Sequence, residues 1–295
     1  MFMARQKPPA RKAPNRRAMR LRTLARRYDF HLSEEIRAAL QGNHDKAATH
    51  SATALSISRE LCAAAPDPRW HRAELAAALC GYARYATTTT HTIALLTESA
   101  GHYAELAKAD PVGYEVPRID VLTRVALASD ASGGTGDAIG LLREVVLMYL
   151  RAPAADPAER DLGLARARFH LGRCLLKTGS DADGLAEIDA GLALAWHALD
   201  RLRLPACGPG WLGMTPRYVQ LAARDWAAAA VRSMTLHATA GRWENAAGAA
   251  HAAVRLSEGL AWLGGDALRE AHAAIQARAD AICEQAGCPQ RAVAG

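Results

Sequence analysis

Small and apolar residues recur along the chain at steps of four and three, and each recurrence follows a glycine. The stretches are GNHDKAATHSATAL from Gly42, GGTGDAIGLLREVV from Gly133, GSDADGLAEIDAGL from Gly179 and GRWENAAGAAHAAV from Gly241. Five residues after the glycine stand Ala47, Ala138, Gly184 and Ala246. Nine residues on stand Ser51, Leu142, Ile188 and Ala250; twelve on stand Ala54, Val145, Gly191 and Ala253. Positions separated by four and then three lie on one helix face, so each stretch predicts a helix with a small-residue buried side. The glycine suits the left-handed backbone that ends a preceding helix. The unit of the pattern is therefore a helix pair.

The spacing supports a repeat. Gly133 to Gly179 is 46 residues, and Gly42 to Gly133 is 91, two such steps. The copy without a glycine should turn near ATTTTHTIALL, with Ala94 in the small position. Gly179 to Gly241 is 62 residues, lengthened by the loop RLRLPACGPGWLGMTP over 201–216. Caps and breakers predict five pairs: 21–41 with 43–65, 68–87 with 91–109, 115–131 with 137–152, 157–178 with 181–204, and 216–240 with 243–263. Pro68, Pro117, Pro157 and Pro216 each suit a first helical turn, where the missing N–H costs nothing; Asp110-Pro111 and Gly264-Gly265 read as stops. A last helix over 266–286 carries Leu268, Ala271, Ile275, Ala279 and Ile282 on one stripe, with Arg269, Gln276 and Glu284 elsewhere. That is the form of a solvating end cap.

The glycine turn, the aromatic in GRW and the small residue five positions on resemble the tetratricopeptide repeat (TPR). FHLGRCLLKTGSDADGLAEIDAGLAL (169–194) fits best, with Leu171-Gly172 matching the Leu-Gly of that family's first helix. The resemblance spans most of 21–286 and is similar to the degenerate alanine-rich repeats of actinobacterial regulatory proteins. Two features depart from the family: a period near 46 rather than 34, and the scarcity of proline after the second helix. HEAT and armadillo arrays have a closer period but give no reason for the intrapair glycine. The resemblance implies an all-α, right-handed solenoid of about five antiparallel pairs plus a capping helix. It further implies a concave groove, lined by first helices, that binds a protein or peptide. On the best copy, Arg166, Phe169, Arg173 and Lys177 would face that groove, three cations around an aromatic that can fork onto a partner's carboxylates. A solvated charged face is the plainer alternative.

Composition agrees with helix: alanine dominates, leucine follows, and only three Phe occur among 295 residues. The net charge of +6 is unevenly placed. Residues 1–27 hold ten Lys/Arg and no acid, which leaves 26 basic and 30 acidic residues, a body of −4. Prolines and charge predict a largely disordered tail over 1–20, a repeat domain over 21–286 and a short tail over 287–295. From Asn15 the tail can continue as helix with Met19, Leu21, Leu24 and Tyr28 apolar, yet residues 1–27 read as contributing no core. Arg11, Lys12, Arg16, Arg17, Arg20, Arg22, Arg26 and Arg27 read first as a solvated leader, with a nucleic-acid tether or docking onto a partner or the chain's own acidic body as the alternatives. No stretch approaches eighteen apolar residues, and YDFHLSEEI follows Arg26-Arg27 where export would need an apolar run, so a cytoplasmic protein without a membrane span is expected. Six scattered cysteines without CxxC spacing fit a reducing compartment.

No catalytic chemistry is legible. ASGGTGDA (131–138) lacks the Gly-Lys-Ser/Thr of a phosphate loop. His170 and Cys174 share a helix face without the further ligands a metal needs, and the same holds for His44, Asp45 and His50. Asp181, Asp183, Glu187 and Asp189 read as acids at a helix start, favoured by its dipole. In the 201–216 loop, Trp211 and Met214 either pack back or anchor a contact. Trp196, Trp226, Trp243 and Trp262 read as fillers of the gaps that alanine faces leave. The sequence thus predicts a non-enzymatic scaffold or regulatory adaptor without cofactor or metal that binds a protein or peptide. A nucleic-acid-associated regulator tethered by the basic arm is the alternative.

Overall fold

The computed structural model describes residues 16–65, 69–201, 217–261 and 266–287. Among the described residues there are eleven α-helices and no strand. They form two compact units, residues 1–106 and 107–295. The first holds α1 (Arg16–Leu40), α2 (His44–Ala64), α3 (Arg69–Tyr82) and most of α4 (Thr89–Ala107). The second holds α5 (Pro111–Ala131), α6 (Thr135–Arg151), α7 (Pro157–Lys177), α8 (Asp181–Arg201), α9 (Arg217–Thr239), α10 (Trp243–Ala261) and α11 (Asp266–Gln285). Each unit is built of helix pairs, neighbours in the chain packing on one another.

Four pairs close through the same turn. Gly42, Gly133, Gly179 and Gly241 have φ of 73, 90, 80 and 70°, the left-handed region that an L side chain enters only with strain. The following residue then donates its N–H five residues back: Asn43 to Ala38, Gly134 to Ser129, Ser180 to Leu175 and Arg242 to His237, at 2.9–3.0 Å. That bond satisfies a carbonyl the helix end would otherwise orphan. Asn43 also caps α2, its side chain accepting from the Lys46 N–H at 3.1 Å.

All twelve positions of the repeat frame are buried, from Ala47, Ser51 and Ala54 in α2 to Ala246, Ala250 and Ala253 in α10. The copy without a glycine departs from expectation. A 3-10 turn over Ala83–Tyr85 replaces the glycine turn, and Thr88 caps α4 by accepting from His91 N–H at 3.2 Å. This moves the register by two residues, so Ala94 is exposed while Leu96 and Ser99 are buried. Ser99 is the small contact there, its hydroxyl donating to the Ala76 carbonyl at 2.7 Å.

Two other boundaries differ from the sequence reading. Asp110 and Pro111 begin α5 rather than only ending α4, because the Asp110 side chain accepts from Gly113 N–H and Pro111 takes the first turn. Pro117 therefore lies inside α5, where its missing N–H leaves a carbonyl of the first turn without its helical donor. Helix α1 starts at Arg16, and its inner face buries Leu24, Tyr28, Glu35 and Ala38. Residues 1–27 thus do supply core, since Leu24 packs as soon as the arm turns helical. Tyr28 ties α1 to α3, its hydroxyl 3.4 Å from the Glu74 carbonyl, and burial pushes its phenol up to about 12.

The second unit has two apolar cores that share α7. Leu162 and Ala165 join Ile188, Ala195, Ala230, Met234, Ala250 and Ile282 in one. Leu164, Ala167, Leu171, Cys174 and Leu175 join Ile119, Leu142, Val145 and Tyr149 in the other. Alanine-rich faces let helices approach closely, and glycine extends this where even a methyl group would collide.

Candidate functional site

The α7 stripe is the first candidate. Steps of three and four place Arg166, Phe169, Arg173 and Lys177 on one side of the helix, all half-buried or exposed. Phe169 packs against the first of the two cores. The two end cations meet carboxylates of α5. Arg166 pairs with Asp120, which also holds Arg124 at 3.3 Å. Lys177 Nζ lies 2.5 Å from Asp130 Oδ2, and Thr135 donates to the other Asp130 oxygen at 2.9 Å. Burial alone would raise the Asp130 carboxyl. The hydrogen bonds from Lys177 and Thr135, with the charges of Lys177 and Arg173, outweigh it and hold the group below its ordinary value.

Arg173 sits between these pairs. One of its Nη atoms lies 3.5 Å from His170 Nδ1, and its buried Nε has no hydrogen-bond partner among the described residues. Burial, then the neighbouring Arg173 and Arg166 charges, drive His170 down to about 3, so its imidazole is neutral across the physiological range. Burial, then the charge of Asp130, pushes the Cys174 thiol up, away from the thiolate that nucleophilic or metal chemistry needs. The stripe is thus an ion-paired seam between α5 and α7, suited to holding carboxylates rather than to moving protons.

The arginines of the basic arm divide. Arg17 donates to the Ala64 carbonyl through Nε at 3.3 Å and Nη2 at 2.7 Å, closing the end of α2. Arg20 pairs with Glu60 at 2.5 Å. Arg16, Arg22, Arg26 and Arg27 are exposed. Arg11 and Lys12 lie outside the described residues, as do Trp211, Met214, Cys207, Cys288 and Trp262 and the side chains of Trp196 and Trp226. Trp243, at the start of α10, is half-buried.

Sequence reasoning missed a second site, between α8 and α10. Glu187 and Asp189 are not at a helix start: they are the seventh and ninth residues of α8. Glu187 pairs with Arg168 of α7 at 3.1 Å. Asp189 Oδ1 accepts from Nε2 of the fully buried His237 at 2.7 Å, and its Oδ2 lies 3.4 Å from the Asn245 amide nitrogen. Above this pair opens a cavity of about 460 Å³ lined by Asp189, Leu192, Ala193, His197, Asn245, Gly248, Ala249, His251 and Ala252. The repeat frame held a signal for it: Asp189 and His251 both stand ten residues after their turn glycines.

Among the described residues no group of three or more His, Cys, Asp or Glu could hold a metal ion, and no helix is long and apolar enough to cross a membrane. No protein-family model matches the chain, and no curated protein matches it by sequence. Among solved structures, BtubC (BKLC) from P. vanneervenii aligns with 82% of this chain and 91% of its own, at 12% identity and a TM-score of 0.44. A kinesin-light-chain-like protein of Podosopora anserina with nearly identical TPR-like repeats aligns with 94% of this chain and 100% of its own, at 15% identity and a TM-score of 0.42. The helix-pair architecture is carried by this chain's own turns and contacts.

Proposed function

We propose that this chain is a non-enzymatic, cytoplasmic helical-repeat scaffold that binds a protein or peptide partner. One observation supports this most. Val112, Leu147 and Leu150 are 46, 51 and 55% exposed on α5 and α6. Leu147 also lines a cavity of about 490 Å³ with Pro111, Met148 and Pro153, edged by Glu115, Glu144 and Arg151. An apolar centre inside a charged rim is the anatomy of a protein–protein contact. In this reading the α7 stripe of Arg166, Phe169, Arg173 and Lys177 takes partner carboxylates by exchanging them for Asp120 and Asp130, with Trp211 as an anchor.

The test compares wild type with a Leu147→Asp/Leu150→Asp variant, first in co-purification and then against the purified partner. The variant should keep its helicity and lose affinity about tenfold or more, the size of a modest hot spot. Equal affinity would overturn this surface as the contact. The exposed Arg22, Arg26 and Arg27 favour a second reading, a nucleic-acid-associated regulator tethered by its basic arm. Binding of DNA or RNA that weakens steeply with salt would support it.

A further inference from the structure

We propose that the α8–α10 cavity receives a lysine or arginine side chain presented by a bound peptide. Among the described residues that line it, its floor carries one formal charge, the Asp189 carboxylate, whose side chain is 38% exposed. The carboxylate is held from beneath by His237, whose Nε2 stands 2.7 Å away. That imidazole is fully buried, and its Nδ1 has no hydrogen-bond partner among the described residues. A second ring N–H would be a buried donor without an acceptor, which is costly. The ring's one polar contact is therefore its Nε2 donation to Asp189, and the carboxylate's outer edge is left facing the cavity.

The walls complete the fit. Leu192, Ala193, Ala249 and Ala252 offer apolar surface to an alkyl stem, while Asn245 and the exposed His197 and His251 add polar groups. Gly248 holds the cavity open, since a Cβ built there would meet nothing within 4 Å. Long basic side chains bury their stem along apolar surface and bring the charged head to an acceptor. A volume of about 460 Å³ lies within the usual range for a side-chain or small-ligand site. An acidic group would meet the Asp189 charge head-on, and a purely apolar one would strip water from that carboxylate without replacing it.

This inference deepens the scaffold reading by naming what the partner presents, but its test needs no partner. Full-length protein is titrated with the N-acetyl N-methylamides of lysine, arginine, norleucine and glutamate, read by the ring-proton shifts of His197 and His251. The lysine and arginine amides should give saturable shifts, norleucine should bind at least about tenfold more weakly, and glutamate should not bind. Asp189→Asn keeps an acceptor for His237 while removing the charge, and should weaken the basic amides about tenfold or more. Gly248→Leu fills open space without touching the Asp189–His237 pair and should abolish binding. No saturable shift with either basic amide, equal binding of the glutamate amide, or wild-type binding by Gly248→Leu would each overturn the proposal. Failure at the α5–α6 surface would leave it standing.

Discussion

Gly172 and Gly184 meet backbone to backbone across the α7–α8 interface. A Cβ on Gly172 would stand 2.5 Å from the Gly184 carbonyl oxygen, and one on Gly184 would stand 2.9 Å from that of Gly172. Neither carbonyl can yield without moving a helix. Alanine gains about 1 kcal/mol of helix propensity at either site, but overpacking against fixed backbone costs about 1–3 kcal/mol or more. Gly172→Ala and Gly184→Ala should each be net destabilising by about 1–2 kcal/mol in chemical denaturation. Gly140→Ala should instead stabilise by up to about 1 kcal/mol, since its added Cβ meets nothing within 4 Å.

The turn glycines obey a different constraint. Around Gly179 and Gly241 there is open space, so only the positive φ opposes a side chain. Gly179→Ala and Gly241→Ala should each cost about 1 kcal/mol, while Gly179→Asn should cost less because asparagine tolerates the left-handed region. Equal losses for alanine and asparagine would show that something other than φ sets the penalty.

Acid should loosen the α5–α7 seam. His170 takes up its proton only near pH 3 in the folded chain, against 6.5 for an ordinary imidazole. The unfolded chain binds that proton first, so stability is full above pH 6.5 and erodes as pH falls from there towards 3, by up to about 1.4 kcal/mol per pH unit. Asp130, held below its usual value, adds stability above that value that is lost as pH falls through it. His170→Gln should reduce the slope between pH 6.5 and 3 in denaturation midpoints and leave the Asp130 contribution, which is lost as pH falls below that carboxyl's ordinary value.

Truncation separates arm from fold. The sequence expectation of a disordered tail predicts that removing residues 1–15 leaves the unfolding midpoint unchanged. Removing 1–27 takes away Leu24, buried to 5% exposure, together with the Arg17 cap on Ala64. The longer truncation should cost about 2 kcal/mol or more, most of it apolar burial. Arg20–Glu60, both well exposed, should add little to that loss.

Much of this architecture was legible because small residues at fixed distances from a glycine report the helix contact directly. Ala138, Leu142 and Val145 could be named as buried from spacing alone, and they are. Ala94 failed because its register was counted from a glycine that a 3-10 turn replaces, and Pro117 because Asp110 and Pro111 had already started the helix. The polar contacts were hidden because their partners lie in the neighbouring repeat. Lys177 meets Asp130 across 47 residues, His237 meets Asp189 across 48, and Tyr28 meets Glu74 across 46. Each distance is close to one period of the sequence pattern, so the repeat length itself pointed to partners that composition and motif could not.

Helix α7 gives residues to both cores of the second unit: Leu162 and Ala165 to one, Leu164, Ala167, Leu171, Cys174 and Leu175 to the other. In a chain of repeats coupled only to neighbours, pairs can melt in sequence from an end, each with its own free energy. A helix common to two cores removes that freedom at its own position. α7 cannot detach from one side without opening the other, so its amide protons should be among the slowest in the unit to exchange with solvent. α11, which packs chiefly on α10 and α9 among the described helices, should exchange faster, through local fraying. A substitution in α7 should therefore be felt in both cores at once, where one in α11 is felt in one.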